Sequence, residues 1–240
     1  MRKQAIHHRL LSALLMFALV LSMLSIFVSA SDDEQSVAVT DQVYYNRSFG
    51  DGWDYSNGFS NKLADNTARI VRRDYADGER EYLLSIKKEN TDRGYLYFDT
   101  EGLLPDSGKV YLEMTYVFEE GSDFGTVCSI EFKNGLIGSR IIKLVDVVDG
   151  EIYVLDSYIG DCDGERLALS FCFDFDYAPT ENKFLAEAIY ADGRVESVLG
   201  AGTEGFDIRT VRFGFDSGYE GSVGSSYLMD DVKLYSSTEG

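Results

Sequence analysis

The chain has 240 residues, 41 acidic against 22 basic, and a formal net charge of −19. Such a surface repels nucleic acid and anionic lipid, and it favours neutral ligands and multivalent cations. The only histidines, His7 and His8, stand among the first 30 residues. Without them the chain has no Ser-His-Asp or Cys-His catalysis and no His-bearing zinc or iron site.

Residues 1–30 read as a signal peptide. Arg2, Lys3 and Arg9 form a basic start, an apolar run covers residues 10–28, and Val28-Ser29-Ala30 fits the small-residue cleavage rule. The run is long enough that an uncleaved anchor is the alternative. No second apolar span follows, so no membrane contact is expected beyond this segment. Cleavage removes three of the 22 basic residues and no acidic one, leaving 19 against 41 and a formal charge of −22. The 210 residues that remain suit one large domain with a core that needs no disulfide staples. Three cysteines are an odd count for an exported protein. Cys128 shares a face with Ile130 and Phe132, Cys172 lies opposite Phe171 and Phe173, and Cys162 sits in an acidic turn; three free thiols are expected, the alternative being one disulfide whose partners spacing does not select.

Residues 31–41 are polar and acidic and are expected to form a loose leader. A sandwich domain is expected over 42–236, with 237–240 as a tail. From Gln42 the pattern is β. Asp-Gly or Asn-Gly pairs, which supply the positive φ of tight hairpins, recur between alternating runs. Arg140–Val148 and Glu151–Tyr158 flank Asp149-Gly150, and Phe184–Ala191 and Val195–Leu199 flank Asp192-Gly193. Further strands are expected over Ala68–Asp74, Arg80–Lys88, Arg93–Asp99, Lys109–Phe118, Phe124–Phe132, Arg166–Asp176, Ile208–Asp216 and Tyr227–Tyr235. Val110, Leu112, Met114, Tyr116 and Phe118 share one face, as do Leu167, Leu169, Phe171, Phe173 and Phe175. One apolar and one polar face per strand predicts antiparallel sheets covered on one side. A dozen such strands predict an all-β, two-sheet antiparallel sandwich. In the last strand Leu228, Asp230, Val232 and Leu234 fall on one face under a period of two. An aspartate among apolar neighbours needs a cation or backbone N–H groups to meet it.

Three stretches resemble the jelly-roll sandwiches of the concanavalin A-like lectin and carbohydrate-binding-module type found in bacterial secreted proteins. They are Tyr44-Tyr-Asn-Arg-Ser-Phe-Gly-Asp-Gly-Trp53, Leu169–Asp176 through Tyr190-Ala-Asp-Gly193, and Val211–Phe215 followed by Tyr227-Leu-Met-Asp-Asp-Val-Lys-Leu-Tyr235. The resemblance implies a structural calcium held by acidic residues of the last strand and the loop after the first. Its candidate ligands here are Asp51, Asp54, Asp230 and Asp231. The alternative is that Asp230 accepts backbone N–H bonds at a strand bend and no ion binds.

The resemblance also implies a carbohydrate ligand. Sugars stack on flat aromatic faces while neighbouring polar side chains bond their hydroxyls. Trp53, the only tryptophan, stands with Tyr55 and Asn57 in a polar, glycine-rich loop and is the first candidate; the alternative is that it plugs the end of the sandwich. Tyr95 and Tyr97 are the second candidate, an outward strip if Leu96 and Phe98 point inward. Tyr111 with Glu113, and Tyr153 near Asp156, could extend such a surface. The alternative is the ordinary strand propensity of tyrosine. Asp161-Cys-Asp-Gly-Glu165 lacks the downstream spacing of a calcium loop and reads as an acidic turn.

Glycanase signatures are weak. Glu151-Ile-Tyr-Val-Leu-Asp156 departs from the Glu-x-Asp-x-x-Glu pattern of sandwich glucanases, and Asp174 and Asp176 have no glutamate partner on their strand. The expectation is a secreted or cell-surface, monomeric, non-catalytic sandwich that binds a polysaccharide or glycan and is stabilised by calcium. The alternatives are a structural or protein-interaction domain and a glycoside hydrolase or polysaccharide lyase.

Overall fold

A computed structural model describes residues 41–49, 58–74, 78–105, 107–134, 138–178, 183–190, 195–201 and 208–237. The signal segment, the leader up to residue 40, the loop carrying Asp51, Trp53, Asp54, Tyr55 and Asn57, the Asp192-Gly193 turn and residues 238–240 lie outside them.

The described residues form fifteen strands. In chain order they are β1 (Gln42–Arg47), β2 (Ser60–Lys62), β3 (Thr67–Asp74), β4 (Arg80–Lys87), β5 (Gly94–Asp99), β6 (Lys109–Val117), β7 (Gly125–Asn134) and β8 (Gly138–Val148). There follow β9 (Glu151–Val154), β10 (Ser157–Asp161), β11 (Arg166–Ala178), β12 (Lys183–Tyr190), β13 (Val195–Ala201), β14 (Ile208–Phe215) and β15 (Ser226–Ser237). One sheet, here sheet A, runs β13-β12-β11-β6-β15-β4-β3, with β1 also on β15; sheet B runs β10-β9-β8-β7-β14-β5-β2. Every pairing is antiparallel. The two-sheet sandwich expected from the alternation is therefore borne out.

The core lies between the sheets, where the period-two faces meet. Val110, Leu112, Met114, Tyr116 and Phe118 are buried from sheet A, and Leu96, Phe98, Val211, Phe213 and Phe215 from sheet B. Tyr227 sits at the centre of an aromatic cluster. Its ring centroid lies 5.5 Å from Phe124, 5.7 Å from both Phe118 and Phe215, and 6.0 Å from Tyr116. Those spacings fall in the range where edge-to-face aromatic pairs add to simple burial. All three cysteines are free and buried. Burial pushes the Cys128 thiol up to about 12, so it behaves as a small apolar side chain. Cys162 turns inward from its acidic turn into the same core.

Two local expectations change. Glu151–Tyr158 is two strands, β9 and β10, joined by a tight turn in which Leu155 and Asp156 have φ of 49° and 66°. The turn is tolerated because Leu155 drops its side chain into the core. The second change is in β15. Asp230 faces Thr115 and Lys233 faces Glu113, so Asp231 and Val232 oppose Met114 alone. This is a β-bulge, and Asp231 takes the left-handed conformation it requires, with φ 53°. The extra residue reverses the facing. Tyr227 and Met229 are core before the bulge, Val232 and Leu234 after it, and Leu228 points outward. Leu228 and Asp230 therefore do not share one continuous face with Val232 and Leu234.

Candidate functional site

At the bulge, the Asp230 side chain is 3% exposed, and its Oδ1 accepts the Phe49 N–H at 2.8 Å. The last strand is thereby tied to the segment that follows β1. Burial raises the carboxyl above its ordinary range. The Phe49 and Asp231 amides pull it back, and the Asp231 and Glu81 charges push it up again. Asp231 points outward instead, toward Arg166 at 3.4 Å. The adjacent carboxylates thus diverge. Among the described residues no three His, Cys, Asp or Glu side chains converge on an ion-sized space.

The same bulge borders a groove on the outer face of sheet A. Strand register sets out its rows. Lys233, Glu113, Ser170 and Ile189 form one row across β15, β6, β11 and β12. Tyr235, Tyr111, Cys172 and Glu187 form the next. On the other side, Asp230 faces Thr115, which faces Ala168. A cavity of about 340 Å³ opens between these rows, lined by Asp231, Glu113, Thr115, Ala168, Ser170 and Ile189. It exists because the floor is built of small side chains while longer ones stand along its sides.

The side chains around the cavity are fixed by local contacts. Tyr111 and Tyr235 stack at 5.2 Å with an 18° angle between rings. Lys233 Nζ lies 3.9 Å over the Tyr235 ring, and Tyr235 Oη donates to Glu113 at 2.7 Å. Burial first, and the Glu113 bond second, raise the Tyr235 hydroxyl so that it stays a donor at any working pH. At the opposite wall Arg166 bonds both Glu81 and Asp231. The groove thus combines two carboxylates, Glu113 and Asp231, with two hydroxyl-bearing floor residues, Thr115 and Ser170, and the Tyr111–Tyr235 pair stands in the next row of the sheet, a set suited to accepting and donating hydrogen bonds to vicinal hydroxyls.

Tyr95 and Tyr97 lie on the outer face of sheet B. Leu96 and Phe98 are buried behind them, as the alternation predicted. Their rings meet edge to face at 5.9 Å. Arg212 stands 4.8 Å and Arg93 5.8 Å from the Tyr95 ring, and Lys62 stands 5.2 Å from that of Tyr97. Arg212 is anchored by Glu131 and by the Thr210 hydroxyl at 3.2 Å. The strip is therefore already covered in part by protein cations. The structure does not join it to the groove, since the two lie on different sheets. Tyr153 and Tyr158 form a third pair at 5.9 Å, with hydroxyls donating to Glu151 and Asp161.

Sequence reading noted Tyr111 and Glu113 but missed Tyr235, Ser170, Ile189 and the outward Asp231 as their neighbours. Only register across β15, β6, β11 and β12 brings these residues together.

The chain matches no protein-family model and no curated protein. Solved structures do share the fold. A carbohydrate esterase from Shiga toxin-encoding bacteriophage phi24B superposes with a TM-score of 0.54 at 10% identity, over 82% of this chain and 99% of that one. An endo-β-1,4-glucuronan lyase from the fungus Trichoderma reesei gives 0.52 at 10% identity, over 81% and 95%. A xylan-binding domain from Paenibacillus barcinonensis gives 0.46 at 8% identity, over 80% and 98%. At such identity the likeness is one of fold alone, a two-sheet antiparallel β-sandwich.

Proposed function

We infer that the protein is a non-catalytic, glycan-binding sandwich that acts outside the cell, and that neutral polysaccharide lies in the groove of sheet A. The observation that carries this reading is the groove itself. Its cavity is lined by Glu113, Asp231, Ser170 and Thr115, and the stacked Tyr111–Tyr235 pair lies in the next row of the same sheet face. The groove crosses four strands, three spacings of about 4.8 Å each, and so is roughly 14 Å long. Sugar C–H surface against tyrosine supplies affinity, and the carboxylates and hydroxyls orient the ring hydroxyls. The fold supports the reading only in that it also carries proteins that act on or bind polysaccharide.

Affinity electrophoresis through gels containing neutral polysaccharides tests the inference. Retention by at least one of them is expected, and Tyr111→Ala should weaken it about tenfold, with the fold intact by circular dichroism. No retention on any neutral polysaccharide by a folded protein would sink the reading.

Calcium is part of the same proposal. Asp51 and Asp54, together with Asp230, would supply oxygens at the junction of the first loop and last strand, a donor set of the hard type calcium prefers. Ion binding there would fasten the fold without touching the ligand. Calcium should then raise the melting temperature and EDTA lower it; superimposable melts in the two conditions would remove calcium from the account.

A further inference from the structure

The connection from β10 to β11, residues 162–165, crosses from sheet B to sheet A. Beside it a cavity of about 220 Å³ opens at the rim of the core. Phe118, Ile152, Ile159 and Leu167 give it an apolar base. Asp161, Asp163 and Glu165, all exposed, bring three carboxylates to its mouth. Gly160 lines it as well, and a Cβ there would meet no atom within 4 Å, so that side is open. The connection itself is pinned. The Cys162 N–H donates to the Gly150 carbonyl at 2.8 Å, the Gly164 N–H to that of Phe118 at 2.9 Å, and the Glu165 N–H to Asp163 Oδ1 at 2.9 Å. With Cys162 turned into the core, its acidic neighbours are left at the surface.

These carboxylates have no protein cation of their own. None of Asp161, Asp163 and Glu165 forms an ion pair among the described residues. Arg166 also lines the cavity, but its guanidinium is engaged by Glu81 and Asp231 on the outer face of sheet A. Nor do the three carboxylates converge as ligands of one metal ion would. The space is larger than an ion and has an apolar base, so it fits a cation carried on an organic body. Asp161 continues the cavity onto aromatic surface. Its Oδ1 accepts the Tyr158 hydroxyl at 3.0 Å, and Tyr158, 53% exposed, meets Tyr153 edge to face. Glu151, bonded by the Tyr153 hydroxyl, adds a fourth carboxylate. An ammonium group is attracted both by carboxylates and by aromatic faces, and the C–H face of a pyranose ring packs on the same rings. A peptide strand is the poorer occupant. Although β10 ends sheet B, its bulge between Tyr158 and Gly160 breaks the ladder that an added strand would need.

We propose that this cavity is a second glycan site, which takes the protonated amino group of a hexosamine unit among Asp161, Asp163 and Glu165 while the adjoining sugar packs on Tyr158 and Tyr153. The proposal rests on the glycan reading for the class of molecule and not on the groove of sheet A. Selectivity follows from the charges. A free amine is bound as a cation, an N-acetyl group forfeits that attraction, and a uronate is repelled.

The test is calorimetric titration of the full chain with a β-1,4-linked glucosamine oligomer and with its fully N-acetylated counterpart. A pH of about 5.5 keeps the amines protonated and the carboxylates ionised. Binding of the amine form is expected, with the N-acetylated form weaker by about fivefold or more, and the difference should shrink as salt rises from ~0.01 to ~0.15 M. Asp161→Asn combined with Glu165→Gln should weaken the amine form about tenfold, and Tyr158→Ala about threefold. Asp65→Asn combined with Asp92→Asn makes the same change of net charge at exposed positions elsewhere and should leave binding unchanged. Equal affinity for the two oligomers would overturn the proposal. So would equal losses in the two double variants, because the acidic surface as a whole would then be attracting the amine. Spermidine binding as tightly as the oligomer would also overturn it, since the site would then recognise charge without sugar. Neutral-gel retention measured in parallel separates the two readings. Amine binding without neutral retention defeats only the groove, and the reverse result defeats only the cavity beside β10.

Discussion

Replacing Tyr227 by alanine is expected to cost about 3–5 kcal/mol of folding stability. The ring is fully buried and meets four other aromatic rings, from Tyr116, Phe118, Phe124 and Phe215. Phe124 and Phe215 belong to the sheet B side, and Tyr116 and Phe118 to the sheet A side, so Tyr227 is where the two sheets are joined at this end of the sandwich. Truncation leaves a cavity that cannot close without shifting both layers, since interiors are packed near crystal density. A loss of this size is a large part of the 5–15 kcal/mol typical of a whole domain. In a domain of this length it should lower the melting temperature by roughly 6–20 °C. The hydroxyl matters much less. It reaches only the Val127 carbonyl, at 3.5 Å, so Tyr227→Phe should stay within about 1 kcal/mol of wild type. Thermal melts of both variants decide the matter: an alanine variant that melts within 2 °C of wild type would refute the central role of this ring.

The sandwich was legible because its signals are local. Each strand writes its own alternation, and the Asp149-Gly150 turn, with φ of 53° and 81°, is the hairpin its dipeptide announces. Leu155-Asp156 was not legible as a turn, because leucine carries no turn chemistry and its place is decided by the pocket that receives its side chain. The β15 bulge was hidden for a related reason. A period of two applied across Tyr227–Tyr235 assumes an unbroken ladder, and only the pairing with β6 reveals the extra residue. Tyr95 and Tyr97 were found as a pair because two steps along one strand put them together. The groove was not found as a whole, since Glu113, Ser170, Ile189 and Asp231 come from four strands whose order in the sheet is 12-11-6-15. Ala168 and Ser170 are visible to sequence reading only as unremarkable small residues, although their smallness is what opens the space.

Removing the Asp230 side chain with alanine is expected to cost about 1–3 kcal/mol, because the Phe49 amide loses its acceptor in a buried place. The melting temperature should fall by roughly 2–12 °C. Asp230→Asn should behave differently. It keeps an oxygen for the Phe49 N–H and sheds a charge that burial disfavours. The folded-state carboxyl lies above its unfolded value, so the protonated form is the one the fold prefers. That contribution is fully present below the unfolded value of about 4 and is lost as pH rises through the raised folded value. In EDTA, Asp230→Asn should therefore equal wild type in acid and become the more stable of the two as pH climbs toward neutrality. Calcium acts in the opposite sense at neutral pH, since an ion would favour the aspartate over the asparagine. Melting wild type and both variants from acid to neutral pH, with EDTA and then with calcium, separates the effects. An asparagine variant as weak as the alanine variant in EDTA would show that the negative charge itself, and not an acceptor for Phe49, holds the last strand to the first loop.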